Sequence, residues 1–231
     1  DVVGLDTVQH VLKTMQDTLQ DDPFYPLFKT PDVVSRLIAA GSLGQKSGAG
    51  FYKKVGKEVQ RIDFVSGEYV AAGGKGDEVV VRLLKEKDPL KRMAGLREST
   101  HPQAQFLWAI FRDAFHYIAV HLAEIADNAR DIDFAMRWGY GWTQGPFEIW
   151  QTAGWQRVAG WIKEDIDAGK ALCNAPLPAW VFDGRSGVHG PVGSWSASRN
   201  TDVPRSELPV YQRQVCRASL IGDGVADGRT I

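Results

Sequence analysis

The chain has 231 residues, 44% of them hydrophobic and 24% charged, which is long enough to bury a proper core and ordinary for a globular protein. Its 27 basic and 28 acidic side chains leave a formal net charge of −1 and no basic stripe, which argues against nucleic acid as a partner. Two cysteines, Cys173 and Cys216, are too few for a disulfide scaffold, and no apolar run reaches membrane-spanning length, so a cytoplasmic setting is expected. The chain opens with Asp1 and no signal segment, and reads as a piece of a longer protein.

From Leu5 to Leu19, Val8, Val11, Leu12, Met15 and Leu19 recur at helical spacing, with Lys13, Asp17 and Gln20 on the other face. Two prolines in "DDPFYPLF" break this helix. Thr30-Pro31 then predicts a new helix start, with Val33, Val34, Leu37 and Ile38 inward and Gly41 as the stop. After "GSLGQKSGAG", Phe51–Val55 and Val59–Phe64 read as a short hairpin. Residues 77–100 give two short helices broken near Asp88-Pro89.

The clearest element follows His101-Pro102. There Leu107, Trp108, Phe111, Phe115, Ile118, Leu122 and Ile125 hold one face of a long helix. Asp131 or Asp133 is the expected cap of a short helix through Phe134, Ala135 and Met136. Residues 138–155, "WGYGWTQGPFEIWQTAGW", hold four tryptophans and four glycines but one carboxylate, Glu148. Gln156–Ala168 is another amphipathic helix, with Val158, Trp161, Ile162 and Ile166 on one side. Beyond residue 183 the periodicity dissolves, and the expectation is an extended tail or linker.

An internal repeat underlies the pattern. Gly4, Leu5, Val8 and Val11 align with Gly154, Trp155, Val158 and Trp161, and "QKSGAGFY" echoes "GRSGVHGP". Two copies of one helical unit are expected, the first without its front half.

These residues carry a resemblance. "IDFAMRWGYGWTQGPFEIWQTAGW" is similar to the signature of the C-terminal domain of 3-hydroxyacyl-CoA dehydrogenases, with Asp133, Ala135, Met136, Gly139, Gly145, Pro146, Phe147 and Gly154 in place. "DVVGLD" resembles the tail of the same signature, and "LIAAGSLGQKSGAGFYKK" resembles the family's ending. The resemblance covers roughly residues 1–54 and 101–183, and the tandem arrangement looks like that of multifunctional fatty-acid β-oxidation proteins.

The resemblance implies a mainly α fold: two related helical units like the 6-phosphogluconate-dehydrogenase C-terminal domain, with a small β-hairpin. The units would be 1–64, a connector at 65–99, 100–183, and a tail at 184–231. It also implies an NAD-dependent oxidation of an L-3-hydroxyacyl-CoA. The base histidine, its glutamate, the Gly-rich phosphate turn and a substrate-binding asparagine would lie in segments before Asp1. This chain would then shape one wall of the acyl-CoA cleft, holding neither a catalytic residue, a cofactor-binding residue nor a metal ligand of its own. Implied partners are the protein's own NAD-binding domain, a hydratase module or a second subunit, and the two units could pack as an internal pseudo-dimer. Two readings stay open beside it: a non-catalytic helical scaffold that docks a neighbouring enzyme, and the helical domain of another dehydrogenase.

Sharper readings of single residues are weaker. His116 and His121 lie five apart and share no helical face, so they are packing residues rather than metal ligands. His10, His101 and His189 have no cysteine or carboxylate cluster near them in sequence. "GAGFYK" lacks the third glycine of a dinucleotide fingerprint and precedes a hairpin. Lys46 is a candidate contact for a CoA phosphate, and Glu148 a candidate acid if a cleft forms there. The default for Glu148 is a helix-start carboxylate favoured by the macrodipole.

Overall fold

In the computed structural model, residues 1–205 are described, and they fall into two compact units, the first spanning Asp1–Gly76 and the second starting at Asp77. Cys216 and the end of the expected tail lie outside the described residues.

In the first unit, helices α1 (Leu5–Thr18) and α2 (Asp32–Ala39) precede an antiparallel sheet ordered β1 (Tyr52–Val55), β2 (Glu58–Ile62), β3 (Tyr69–Ala71). Leu5, Val34, Leu37 and Ile62 form its small core. The chain enters α1 through Gly4 at φ 104, a conformation that glycine adopts without a Cβ penalty. Thr30 does not cap α2: the helix starts one residue later, with extended Pro31 as its N-cap and no side-chain cap bond. Gly41 ends α2 as expected. Its left-handed backbone lets Gly41 N–H reach Ile38 O at 2.9 Å and Ser42 N–H reach Leu37 O at 2.8 Å, the paired bonds of a Schellman stop.

The second unit contains α3 (Glu78–Leu84), α4 (Pro89–Glu98), α5 (Pro102–Ile125), α6 (Ala129–Tyr140), α7 (Pro146–Thr152), α8 (Trp155–Asp167) and the hairpin β4 (Gly193–Ser196) with β5 (Thr201–Pro204). Polar caps set most of the helix starts. Asp77, Asp88, His101 and Asn128 accept backbone N–H groups at the heads of α3 to α6. Asn128, rather than Asp131 or Asp133, therefore caps α6, because the helix begins at Ala129, before either aspartate.

The connector of the sequence reading divides between the units. β3 completes the first unit's sheet, while Val80, Met93 and Leu96 of α3 and α4 join the core of the second. Nor is the segment after 183 wholly extended: Val188, Ser194, Trp195 and Ser196 are buried, and β4 pairs with β5. Strands this short, without an alternating apolar pattern, leave little signal in the sequence.

The tryptophans of the 138–155 stretch separate into two groups. Trp150 and Trp155 stack at 4.1 Å between ring centroids, and the column continues from Phe115 through Trp150 and Trp155 to Trp180 and Trp195. This aromatic spine ties α5, α7 and α8 to the terminal hairpin. Two of its indoles are satisfied by backbone carbonyls, Trp150 Nε1 donating to Trp155 O and Trp155 Nε1 to Val181 O, both at 3.0 Å. Trp138 and Trp142 stay outside, 58% and 38% exposed.

Candidate functional site

The 138–155 stretch turns a corner between α6 and α7, and the corner is built on an unusual cap. The N-cap residue of α7 is Gly145, which has no side chain to offer. Asp133, one helix earlier, supplies the missing acceptor: Phe147 N–H donates to its Oδ1 at 2.8 Å and Glu148 N–H to its Oδ2 at 3.2 Å. These are the N2 and N3 groups that a local Ser or Asp would bind. A Cβ on Gly145 would collide with Asp133 Cα, Cβ and Oδ1, so glycine at 145 makes room for the borrowed cap. Glu148 completes the box by accepting Gly145 N–H at 2.8 Å.

His189 and Ser194 back this cap from the terminal hairpin. His189 Nε2 lies 2.7 Å from Asp133 Oδ2, and His189 Nδ1 lies 2.9 Å from Ser194 Oγ. The order Asp–His–Ser invites comparison with a nucleophilic triad, but the geometry does not support one. Ser194 is 2% exposed on β4, Asp133 is fully buried, and both Asp133 oxygens are already held by backbone donors. A triad serine must present its Oγ where a reacting carbonyl can sit. This constellation is a structural clamp.

Two buried carboxylates within one corner shape its electrostatics. Burial pushes the Asp133 pKa up, opposed by the hydrogen bonds from His189 and from the α7 backbone. Burial likewise raises Glu148, partly offset by Gly145 N–H, and Arg137 Nη1 stands 3.7 Å from its Oε2. No cleft forms at Glu148, which is fully buried, so it is not a solvent-reaching acid.

The remaining candidates are dispersed. His116 is buried with Nε2 2.8 Å from Ala175 O, His121 pairs with Glu124 at 3.5 Å, and His101 caps α5. His189 is the exception to the sequence reading. The fold brings it to a carboxylate 56 residues away, which inspection of near neighbours could not reveal. Lys46 Nζ binds both Asp6 oxygens at 2.6 Å. Among the described residues, no group of three or more His, Cys, Asp or Glu could hold a metal ion. The described residues do not fit NAD either. Both sheets are antiparallel, and Gly48-Ala49-Gly50 leads into β1 rather than opening a helix.

The second unit also carries an apolar groove of about 650 Å³ between α5 and α6, closed at one side by the glycine corner. Ala114, Ile118, Ile125, Ile132, Met136 and Trp142 give it an almost wholly apolar wall. Its two carboxylates are engaged, Asp127 with Arg199 at 2.7 Å and Asp131 with Asn128 Nδ2 at 3.0 Å.

The two units share one local arrangement, in which Gly50 and not Gly48 corresponds to Gly187, two residues away from the register in which "QKSGAGFY" echoes "GRSGVHGP". In the first unit the Asp1 carboxylate accepts Phe51 N–H and Tyr52 N–H; in the second, Gln151 Oε1 accepts Val188 N–H and His189 N–H. Asp1 and Gln151 each stand three residues before the glycine that opens α1 or α8, and each is packed against a glycine, Gly50 or Gly187. A short hairpin follows in both units.

A mainly helical protein with two small antiparallel sheets and an apolar groove is the class that fold and site define. Residues 1–54 match the family model described as "3-hydroxyacyl-CoA dehydrogenase, C-terminal domain". The chain is 35% identical over 180 residues to a probable 3-hydroxyacyl-CoA dehydrogenase of Bacillus subtilis, a match spanning 73% of this chain and 23% of that protein. It is 25% and 24% identical over 188 residues to putative fatty acid oxidation complex trifunctional enzymes of Rickettsia felis and Rickettsia prowazekii, covering 78% of this chain and 24% of each. The chain therefore spans less than two thirds of the length of these relatives. No solved structure gives a significant match. Residues 1–54, which include "DVVGLD" and "LIAAGSLGQKSGAGFYKK", thus carry the C-terminal domain of the 3-hydroxyacyl-CoA dehydrogenases, and the similarity to proteins of that name extends over 180 residues.

Proposed function

We propose that this chain is the substrate-side portion of an NAD-dependent 3-hydroxyacyl-CoA dehydrogenase of cytoplasmic fatty-acid β-oxidation, and that it has no dehydrogenase activity alone. The apolar groove of the second unit carries this reading. It is large enough for an alkyl chain, lined almost entirely by carbon, and bounded by the loop that bears the family signature. In this reading the groove packs the acyl chain, while hydride transfer and NAD binding belong to other parts of the parent protein. No helix among the described residues is long and apolar enough to cross a membrane.

The test has two readouts on the purified chain. Acetoacetyl-CoA and NADH should give no turnover, whereas a medium-chain acyl-CoA should quench Trp142, with the quench abolished by Trp142→Ala. Turnover, or quenching by free CoA equal to that by acyl-CoA, would overturn the reading. The exposed Trp138 and Tyr140, at 58% and 75%, favour the second reading of a docking scaffold. Stable co-elution with a separately expressed hydratase, together with no acyl-CoA response, would establish that alternative.

A further inference from the structure

We infer a lipid-facing surface on the second unit: the corner between α3 and α4 seats this chain on a bilayer surface rich in anionic phospholipid. The overall charge balance hides a local concentration there. Between residues 82 and 92 stand five cations, Arg82, Lys85, Lys87, Lys91 and Arg92, against two acids, Glu86 and Asp88, in a chain whose formal net charge is −1. Arg82, Lys85, Lys87 and Lys91 are exposed and form no ion pair among the described residues.

The two acids are turned into the backbone of the corner. Glu86 Oε1 accepts Asp88 N–H at 2.9 Å, and Asp88 Oδ1 accepts Leu90 N–H and Lys91 N–H at 2.9 and 3.2 Å as the cap of α4. Their charge is spent in part on those donors rather than on the neighbouring ammonium groups. Arg92 Nη1 donates to Glu86 O at 2.8 Å, which draws the guanidinium of α4 back to the end of α3. The cations of both helices thus gather around one turn. Asp77, Glu78 and Glu98 stand at the far ends of the two helices.

Apolar surface adjoins this charge. Val80 and Leu83 hold α3 to the core, while Val81 and Leu84 stay exposed on its outer side. Spaced three and four residues from Val81, Leu84 and Lys85 share one side of the helix with it. Exposed aliphatic groups ringed by lysine are what a peripheral helix presents to a membrane: the aliphatics enter below the headgroups, and the lysine stems keep their ammonium groups at the phosphate level. A protein partner is the poorer fit, because lysine is depleted at protein interfaces, and valine and leucine are under-represented among their energetic hot spots. Single-stranded nucleic acid calls for aromatic platforms, and residues 77–100 contain no Phe, Tyr or Trp. With seven residues, α3 lies on such a surface and does not span it.

This surface is independent of the acyl-CoA reading, and co-sedimentation of the full chain with lipid vesicles tests it. Each cation near an anionic surface contributes about fivefold to partitioning, so vesicles of phosphatidylcholine containing about one third phosphatidylglycerol should bind at least about tenfold more tightly than phosphatidylcholine alone. That advantage should disappear as salt is raised to about 0.5 M. The double variant Lys85→Glu, Lys87→Glu should lower binding to the anionic vesicles at least about tenfold, and both positions are exposed, so the fold is kept. Leu84→Ser should lower it several-fold by removing an inserted side chain. Equal binding to the two kinds of vesicle, no binding to either, or binding untouched by the lysine variant would overturn the proposal. Heparin binding the chain as tightly as the anionic vesicles, with Leu84→Ser without effect, would also overturn it, since that is the pattern of a patch for any polyanion.

Discussion

Replacing Asp133 by alanine tests the borrowed cap most directly. The substitution leaves three buried groups without their acceptor: Phe147 N–H, Glu148 N–H and the His189 ring at 2.7 Å. Each stranded donor costs about 1–3 kcal/mol. The losses overlap, because the loop can shift to re-pair some donors, so the expected destabilisation is about 3–5 kcal/mol, the range found when one partner of a buried pair is removed. Burying a carboxylate is itself costly, which would argue for a smaller effect. That saving applies only when the whole pair is replaced by packed apolar groups, and here the backbone donors cannot be removed. Asp133→Asn keeps one acceptor oxygen and should cost less, about 2–3 kcal/mol. All eight tryptophans of the chain lie between residues 108 and 195, so tryptophan-monitored urea unfolding reports the second unit alone. A second-unit loss below about 1 kcal/mol for Asp133→Ala would refute the cap. So would simple additivity of Asp133→Ala with His189→Ala, because contacting partners should couple.

Gly145→Ala should destabilise the same unit by several kcal/mol, roughly as much as Asp133→Ala, because its Cβ falls on Asp133; unfolding curves matching those of the unaltered chain would contradict this. Ser194 should not react with a fluorophosphonate probe in the folded chain, being 2% exposed, and Ser194→Ala should cost only about 1 kcal/mol; labelling under native conditions would revive the triad. Burial raises the pKa of both Asp133 and Glu148, so the folded state holds their protons more tightly than the unfolded chain. Their contribution is therefore fully present below the ordinary carboxylate range and is lost as pH rises through their raised values. The second unit's urea midpoint should show this slope above the usual carboxylate pKa, and Glu148→Gln should flatten it; an unchanged slope in the variant would count against it.

The helices were legible because their evidence is local. Val8, Val11 and Leu12 repeat at helical spacing, Pro89 and Pro102 sit at helix heads, and Gly41 ends a helix in its left-handed conformation. The hairpin at 52–62 announced itself through flanking glycines and short apolar runs. The second hairpin did not. Ser194 and Ser196 are as buried as Trp195, so β4 lacks the alternation that marks a half-buried strand. The cap was hidden for another reason. Gly145 reads as a flexible turn residue, and Asp133 as the cap of its own helix; only the approach of α6 to α7 shows that each requires the other. His189 was invisible on the same ground, its partner lying 56 residues away.

The two units make a controlled comparison, because they close the same turn with different chemistry. In the first, an aspartate accepts both N–H groups of Phe51 and Tyr52, one on each oxygen. In the second, Gln151 accepts both corresponding N–H groups on a single oxygen and uses its amide nitrogen to donate to His189 O at 2.9 Å. The amide thus satisfies a carbonyl that an aspartate could not, since an ionised carboxylate has no donor. Glutamine at 151 suits a site where the turn residue is itself a histidine bound to a buried carboxylate: a neutral side chain adds no third negative charge near Asp133 and Glu148. The first unit has Tyr52 at the position of His189, out on an exposed strand, and there a charged clamp costs little. One backbone turn is kept in both copies, while the side chains around it follow the charge already buried beside them.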